Sequence, residues 1–139
     1  MPDRARTAAD VGAGDGQLAR HLAGRGLRVV ASERSAGSFA RLRAASPDLD
    51  CRLGEGLAVL EPGEVEGAVL AGMGGRKILR ILGAAPEVVG RLDWLVLQPQ
   101  QQAGELVDGL AAAGFRLERD TQAVQGGRSY RVLLVRPPS

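Results

Sequence analysis

Glycine occupies every second position in the segment DVGAGDG, residues 10–16, which follows a short apolar run. Glycines at 12, 14 and 16 let the backbone turn sharply and approach a bulky ligand, and the N-terminus of the next helix faces that ligand. A dinucleotide-binding loop would place its third glycine at position 17, which is Gln17. The loop therefore predicts a ligand site of another class, with a plain strand-to-helix turn as the alternative.

Two acidic residues follow the next two predicted strands. Glu33 ends the second strand, where a carboxylate can accept hydrogen bonds from both hydroxyl groups of a ribose. Glu55 stands in Gly54-Glu55-Gly56, just after the third strand. Each acid alone could be a solvated loop residue, but acids and glycines at three successive strand ends indicate one shared ligand.

A second glycine-rich segment, AVLAGMGGRKIL at residues 68–79, leaves a predicted strand without an acid, a serine or a cysteine. Gly72, Gly74 and Gly75 would expose bare backbone to a flat ligand, with Met73 as a wall of the pocket. The alternative is a tight turn in which the glycines allow close packing and Met73 fills the core. Gln98 and Pro99 end the fifth predicted strand and flank the same crevice.

Strands and helices alternate in a way that places these loops at one edge of a sheet. Strands are predicted at 7–12, 27–33, 50–54, 66–72, 93–99, 115–124 and 129–135, and helices at 16–26, 38–46, 75–83 and 101–114, with a further turn after Pro86. Five strands that alternate with helices predict a parallel sheet covered on both faces, and the last two form an antiparallel hairpin. The fold class is α/β, doubly wound and Rossmann-like, with seven strands in a single domain over residues 1–139.

Composition is that of an ordinary globular protein, with 45% hydrophobic and 24% charged residues. The sequence contains no candidate membrane span or signal peptide, so a cytoplasmic protein without membrane contact is expected. One cysteine, Cys51, excludes a disulfide framework and a cysteine-based metal cluster, and no metal is expected. Lys77 is the single lysine among 18 basic residues; the arginine bias suits nucleic acid, or reflects genome composition or adaptation to heat.

The G-x-G-x-G loop and the terminal hairpin are similar to those of S-adenosylmethionine-dependent methyltransferases. More closely, the sequence resembles the TrmK family of bacterial tRNA adenine-N1 methyltransferases from about Ala8 to Val135. The resemblance is carried by ADVG at 9–12, Glu33, RLGEGLAVLEPGEVEGAVLAGMGG at 52–75, LVLQPQ at 95–100 and GRSYRVLLV at 127–135. In this comparison Ala-Gly-Met-Gly-Gly takes the place of the target-base motif of other amino-methyltransferases.

The resemblance implies S-adenosyl-L-methionine as cofactor and tRNA as partner. Together with the residue types, it assigns the cofactor to Asp10, Gly12, Gly14, Gly16, Glu33, Arg34, Glu55, Gly56 and Ala71. It assigns the reacting base to Gly72, Met73, Gly74 and Gly75, and the rest of the substrate to Asp15, Arg76, Lys77, Gln98 and Pro99. Arg76, Lys77 and Arg80 are expected to meet phosphates of a flipped nucleotide. Arg128 and Tyr130 at the predicted hairpin are further candidates for contact with substrate.

Three departures from the family bear on activity. Gly14 and Asp15 stand where the family has an Asp-His pair, the chain starts almost at the first strand, and it ends without the family's C-terminal helical domain. Weak, salt-dependent RNA binding is expected, and a homodimer is compatible with the sequence. The alternatives are a cofactor-binding module without activity, a methyltransferase of small molecules or proteins, and, more distantly, a nicotinamide-dependent oxidoreductase.

Overall fold

The computed structural model describes residues 4–138, apart from the side chain of Gln125. Its seven strands are β1 Thr7–Val11, β2 Arg28–Glu33, β3 Asp50–Leu53, β4 Gly67–Met73, β5 Trp94–Pro99, β6 Arg116–Gln125 and β7 Arg128–Arg136. Its helices are α1 Gln17–Gly24, α2 Ala36–Ala45, α3 Gly75–Ala84, α4 Pro86–Val89 and α5 Ala103–Ala112, and a 3₁₀-helix spans Gly56–Val59. The predicted elements are present, with bounds that differ by a few residues.

The strands form one sheet in the order β3-β2-β1-β4-β5-β7-β6. The first five are parallel, whereas β7 is antiparallel to both β5 and β6. The chain therefore moves outward from β1 to β3 and returns to β4 on the other side of β1. The strand order reverses between β1 and β4, and in open α/β sheets ligands bind at the carboxyl edge beside such a reversal. The predicted fold class is confirmed.

Helices cover the two faces of the sheet unequally. Buried residues of α1 and α2 pack on one face, together with Ala8, Val29, Ala31, Val69 and Trp94. Those of α3, α4 and α5 pack on the other face in a larger core. Strand residues alternate between the faces, so the side chains of Asp10, Ala71 and Gln98 share the face of α1 and α2. In the described residues, no helix has the length and apolar character needed to cross a membrane.

Candidate functional site

The loop after β1 lies across the carboxyl edge of the sheet. Gly12, Gly14 and Gly16 all have positive φ angles, 72°, 64° and 89°, which side chains disfavour. The amides of Gly12 and Ala13 donate to the carbonyl of Ser32 at the end of β2, each at 3.0 Å. The amide of Gly14 donates to Oε1 of Glu33 at 2.6 Å. Glu33 is therefore beside the loop, as predicted, and one carboxylate oxygen is already used by the protein.

Asp10, the last polar residue of β1, is 4% exposed. Burial raises the pKa of its carboxyl to about 7, and the nearby charge of Glu33 contributes in the same direction. A buried carboxyl that titrates near neutrality responds strongly to a ligand charge. This position suits a group of positive charge beside the end of β1.

Asp15 and Gly16 are occupied by contacts within the protein. The Asp15 carboxylate accepts from the amide of Gln17 at 3.0 Å, and the Asp15 carbonyl accepts from the Ser46 hydroxyl at 2.7 Å. A Cβ atom on Gly16 would come within 2.3 Å of Ser46 Oγ. These contacts join the start of α1 to the end of α2. Neither residue lines the narrow cleft, the outer cavity or the open cavity described below, and the substrate role of Asp15 and the cofactor role of Gly16 stay predictions.

Two connected spaces lie on the β2 and β3 side of the loop. A narrow cleft of about 60 Å³ runs between the ends of β1, β2, β3 and β4, and an outer cavity of about 290 Å³ continues from it. Arg34, Gly56, Lys77 and Ile81 line both spaces. Glu33 lines the narrow cleft and Glu55 the outer cavity. The predicted residues after β2 and β3 are thus brought together with two basic side chains.

A third space, the open cavity, lies on the β4 and β5 side and measures about 350 Å³. Its walls combine predicted residues with ones that the sequence analysis left out. The lining residues are Asp10, Gly12, Ala13, Leu18, Ala71, Gly72, Gln98, Gln100 and Tyr130. Gly12 also lines the narrow cleft, so the two spaces meet at the first loop. Gln100 is not among the candidate site residues of the sequence analysis. Its position just after the end of β5, two residues beyond Gln98, is the sequence feature that points to it.

The three glycines of the second segment have different surroundings. Gly72 is an exposed bulge residue with φ 76°, and a Cβ there would have no neighbour closer than Gln100 Nε2 at 3.9 Å. A Cβ on Gly74 would meet the side chains of Gln101 and Gln102 at 3.3 and 2.9 Å. One on Gly75 would lie 2.4 Å from the carbonyl oxygen of Gln102. The expectation that all three face a ligand is therefore revised: Gly72 opens to the cavity, and the others allow close packing.

Hydrogen bonds hold the loop after β5 against the start of α3. The backbone amide of Gln100 donates to the carbonyl of Met73 at 3.0 Å, and the amide of Gly75 donates to the carbonyl of Gln101 at 2.9 Å. The amide of Arg76 donates to the side-chain oxygen of Gln102 at 3.2 Å. Gln102 adopts a left-handed conformation with φ 61°, which is uncommon for a residue with a side chain. The second glycine segment is consequently fixed by its neighbour before any ligand binds.

Met73 and Pro99 are both buried where β4 and β5 end. Met73 points under the first loop: its Cε atom is 3.2 Å from the place of a Cβ on Gly12, and it lines the narrow cleft. Pro99 pairs with Met73 in the sheet register. Met73 thus belongs both to the lining of the cleft and to the hydrophobic core, so both predicted interpretations stay open. Pro99 is buried at the end of β5, and its contact with substrate stays a prediction.

The basic residues of α3 are divided between two environments. Arg76 forms a bidentate ion pair with Glu105, in which Nε lies 2.6 Å from Oε2 and Nη2 lies 2.9 Å from Oε1. Lys77 and Arg80 line the outer cavity, on the other side of the first loop from Gly72 and Gln98. The expectation that the three would meet the phosphates of one nucleotide at Gly72 is revised, because none of them lines the open cavity.

Comparison with known proteins places this arrangement in a family. A family model described as a methyltransferase domain matches residues 1–133, and the chain belongs to that family. It is similar to the tRNA (adenine(22)-N(1))-methyltransferase of Bacillus subtilis, with 31% identity over 86 residues, 62% of this chain and 36% of that protein. The predicted resemblance to the TrmK family is confirmed.

Solved structures agree with this relationship. The Bacillus subtilis m1A22 tRNA methyltransferase TrmK has a TM-score of 0.87 at 26% identity, over 96% of this chain and 60% of that one. A Streptococcus pneumoniae protein in complex with S-adenosyl-L-methionine has a TM-score of 0.86 at 28% identity, over 95% of this chain and 66% of that one. The chain spans about a third of the curated relative and somewhat under two thirds of the TrmK structure.

Proposed function

We propose that this protein transfers the methyl group of S-adenosyl-L-methionine to N1 of an adenine in tRNA. The observation that carries the proposal is the position of Gly12, which borders both the narrow cleft and the open cavity. A ligand that crosses Gly12 would reach from one space into the other. This is the arrangement that a donor and an acceptor require to meet, and the similarity to tRNA methyltransferases supports the same reaction.

The residues of the cleft fit the nucleoside part of the donor. Glu33 has a second carboxylate oxygen for ribose hydroxyls, and Glu55 and Gly56 lie where the adenine edge would be held. Arg34 and Ile81 would enclose the ring. Gly14 remains open, since a Cβ there would have no neighbour within 4 Å. Carboxylates that accept from ribose hydroxyls are the recurrent way in which such folds hold a nucleoside.

The open cavity fits the methionine part of the donor and the base. Asp10 is placed to accept from the donor's ammonium group, with Ala13 and Ala71 beside it. Bound S-adenosylmethionine supplies an electrophilic methyl group: the N1 lone pair forms the new bond to carbon, and the carbon–sulfur bond breaks with its electrons on sulfur. N1 carries no proton, so no base is needed, and Gly72 and Gln98 only have to hold the ring in line. The adenine gains a positive charge, which ionised Asp10 would offset.

Incubation with tritiated donor and total bacterial tRNA, followed by nucleoside analysis, tests this function. We expect label in 1-methyladenosine. Label in another nucleoside would contradict the position of transfer, and label in protein or in small molecules would favour the other methyltransferases considered above. Donor binding without any methyl transfer would favour the alternative of a cofactor-binding module without activity. A variant with Glu33→Ala serves as the control for donor-dependent incorporation.

The setting of this function is part of the proposal. The continuous seven-stranded sheet supports one domain over residues 1–139, and tRNA as substrate supports action in the cytoplasm. The homodimer stays a prediction, which light scattering at several protein concentrations would test.

A further inference from the structure

The β6–β7 hairpin extends past its neighbour in the sheet. β7 pairs with β5 through Leu133, Leu134 and Val135, whereas β6 and β7 pair from Arg116 and Arg136 as far as Gln125 and Arg128. Because β7 is antiparallel to β5, its residues before Leu133 extend past the last β5–β7 residue pair, toward the carboxyl edge of the sheet. This projecting part, residues 121–132, is here called the arm. It stands next to the open cavity.

The arm places an aromatic ring in the wall of that cavity. Tyr130 is half-buried and lines the cavity with Gly72, Gln98 and Gln100. The guanidinium carbon of Arg128 is 5.8 Å from the centroid of the Tyr130 ring. The chain has only one Tyr, one Trp and two Phe, so a ring exposed to this cavity is not the result of an aromatic-rich surface. Proteins commonly bind an unstacked base by stacking it on an aromatic ring and hydrogen-bonding its edge to polar side chains, and here the ring stands beside the side-chain amides of two glutamines and an arginine.

We propose that Tyr130 is the surface on which the acceptor adenine stacks, and that Gln98 and Gln100 read the edge of that base. The inference rests on the proposed function and specifies its acceptor site. A glutamine amide presents a donor and an acceptor that match N7 and the exocyclic amine of adenine. Arg128, whose guanidinium lies over the Tyr130 ring, would contact the phosphate of the same nucleotide. With this assignment, the phosphate of the flipped nucleotide is contacted by the arm and not by the basic residues of α3.

Binding of RNA to the protein saturated with S-adenosylhomocysteine tests the site without requiring transfer. The probe is a fluorescent RNA stem-loop with one unpaired adenine, measured by anisotropy at fixed salt. We expect Tyr130→Ala to weaken binding about ten- to a hundredfold, the range found when a stacking aromatic is removed. Tyr130→Phe keeps the ring and should stay within about threefold of the wild type. Ser129→Ala, on the opposite face of β7, is the matched control and should bind as the wild type does.

Affinity for S-adenosylhomocysteine, measured by calorimetry, should be unchanged in all three variants and reports that each is folded. Wild-type RNA affinity in Tyr130→Ala would overturn the inference, as would equal losses in the Ala and Phe variants, since the hydroxyl and not the ring would then matter. Tyr130-dependent binding by a protein that transfers no methyl group to tRNA would support this site and overturn the proposed reaction. Full kcat/KM of Tyr130→Ala on unmethylated tRNA would overturn this site alone.

Discussion

Gly72 provides the sharpest test of the open cavity, because substitution there adds atoms to a space that the protein leaves free. In Gly72→Val the Cβ atom of the new side chain would have no neighbour closer than Gln100 Nε2, at 3.9 Å. The penalty for folding comes instead from the φ angle of 76°, which costs an L-residue about 1–2 kcal/mol. For a domain of 139 residues that loss corresponds to a fall in thermal midpoint of about 3–7 °C.

Activity per folded molecule should fall much further than stability does. A branched side chain in the cavity would displace the base, and a displacement of about 1 Å costs about a hundredfold in rate. Donor affinity should change much less than the rate, because the nucleoside part of the donor lies in the narrow cleft, which Gly72 does not line, and only its methionine part shares the open cavity with Gly72. The measurements are thermal denaturation, calorimetry with S-adenosylmethionine, and initial rates on tRNA at a temperature where each variant is folded.

Two glycines of α3 serve as controls. A Cβ on Gly83 would have no neighbour within 4 Å, so Gly83→Ala should raise stability by about 0.5–1 kcal/mol with unchanged rates. In Gly75→Ala the new atom would lie 2.4 Å from a backbone oxygen, so overpacking should cost about 1–3 kcal/mol or more. If Gly72→Val folds, binds the donor and transfers methyl groups at the wild-type rate, the base does not lie at Gly72 and the reasoning is refuted.

Four further substitutions test other parts of the site. Burial raises the pKa of Asp10 from an ordinary value of 3.8 to about 7, so the folded protein binds this proton more tightly than the unfolded chain does. Stability should therefore fall as pH rises from about 4 to 7. Urea unfolding should show that the stability advantage of Asp10→Asn over wild type is about 3 kcal/mol larger at pH 8 than at pH 4.5, and a pH-independent difference would contradict this. Glu33→Ala should weaken donor binding by about 1.5–3 kcal/mol in calorimetry, and equal affinities would remove Glu33 from the site. Arg76→Ala should leave tRNA affinity and the thermal midpoint unchanged while Lys77→Ala lowers donor affinity; the reverse pattern would restore Arg76 as a phosphate contact.

The elements were predictable because local signals mark both their cores and their ends. Buried runs such as 27–33 and 93–99 stop at charged residues or proline, and these signals act within a few residues. Roles that depend on distant partners were not predictable in this way. Gly16 is explained by Ser46, thirty residues later, and Arg76 by Glu105, 29 residues later. No local sequence pattern predicts contacts between residues so far apart in the chain.

The place of Tyr130 shows the same limit at the level of topology. The sequence predicts that it lies in the second strand of a hairpin. Its entry into the cavity depends on β7 being inserted between β5 and β6, which brings the far end of the chain beside Gln98. The glycine loop and the strand-end acids were recognisable because the fold collects every parallel strand end at one edge.

Gly12 is the residue that the narrow cleft and the open cavity have in common, and this near-separation has a consequence for adaptation. The narrow cleft is built mainly from the ends of β2 and β3, with Met73 of β4 in its lining, and the open cavity from β4, β5 and the arm. Substitutions on the two sides share few contacts, so their free-energy effects should be close to additive. Acceptor preference can then drift through residues such as Gln100 and Tyr130 while donor use is retained. A laboratory search for new acceptors would do best to randomise the arm and leave residues 10–16 intact.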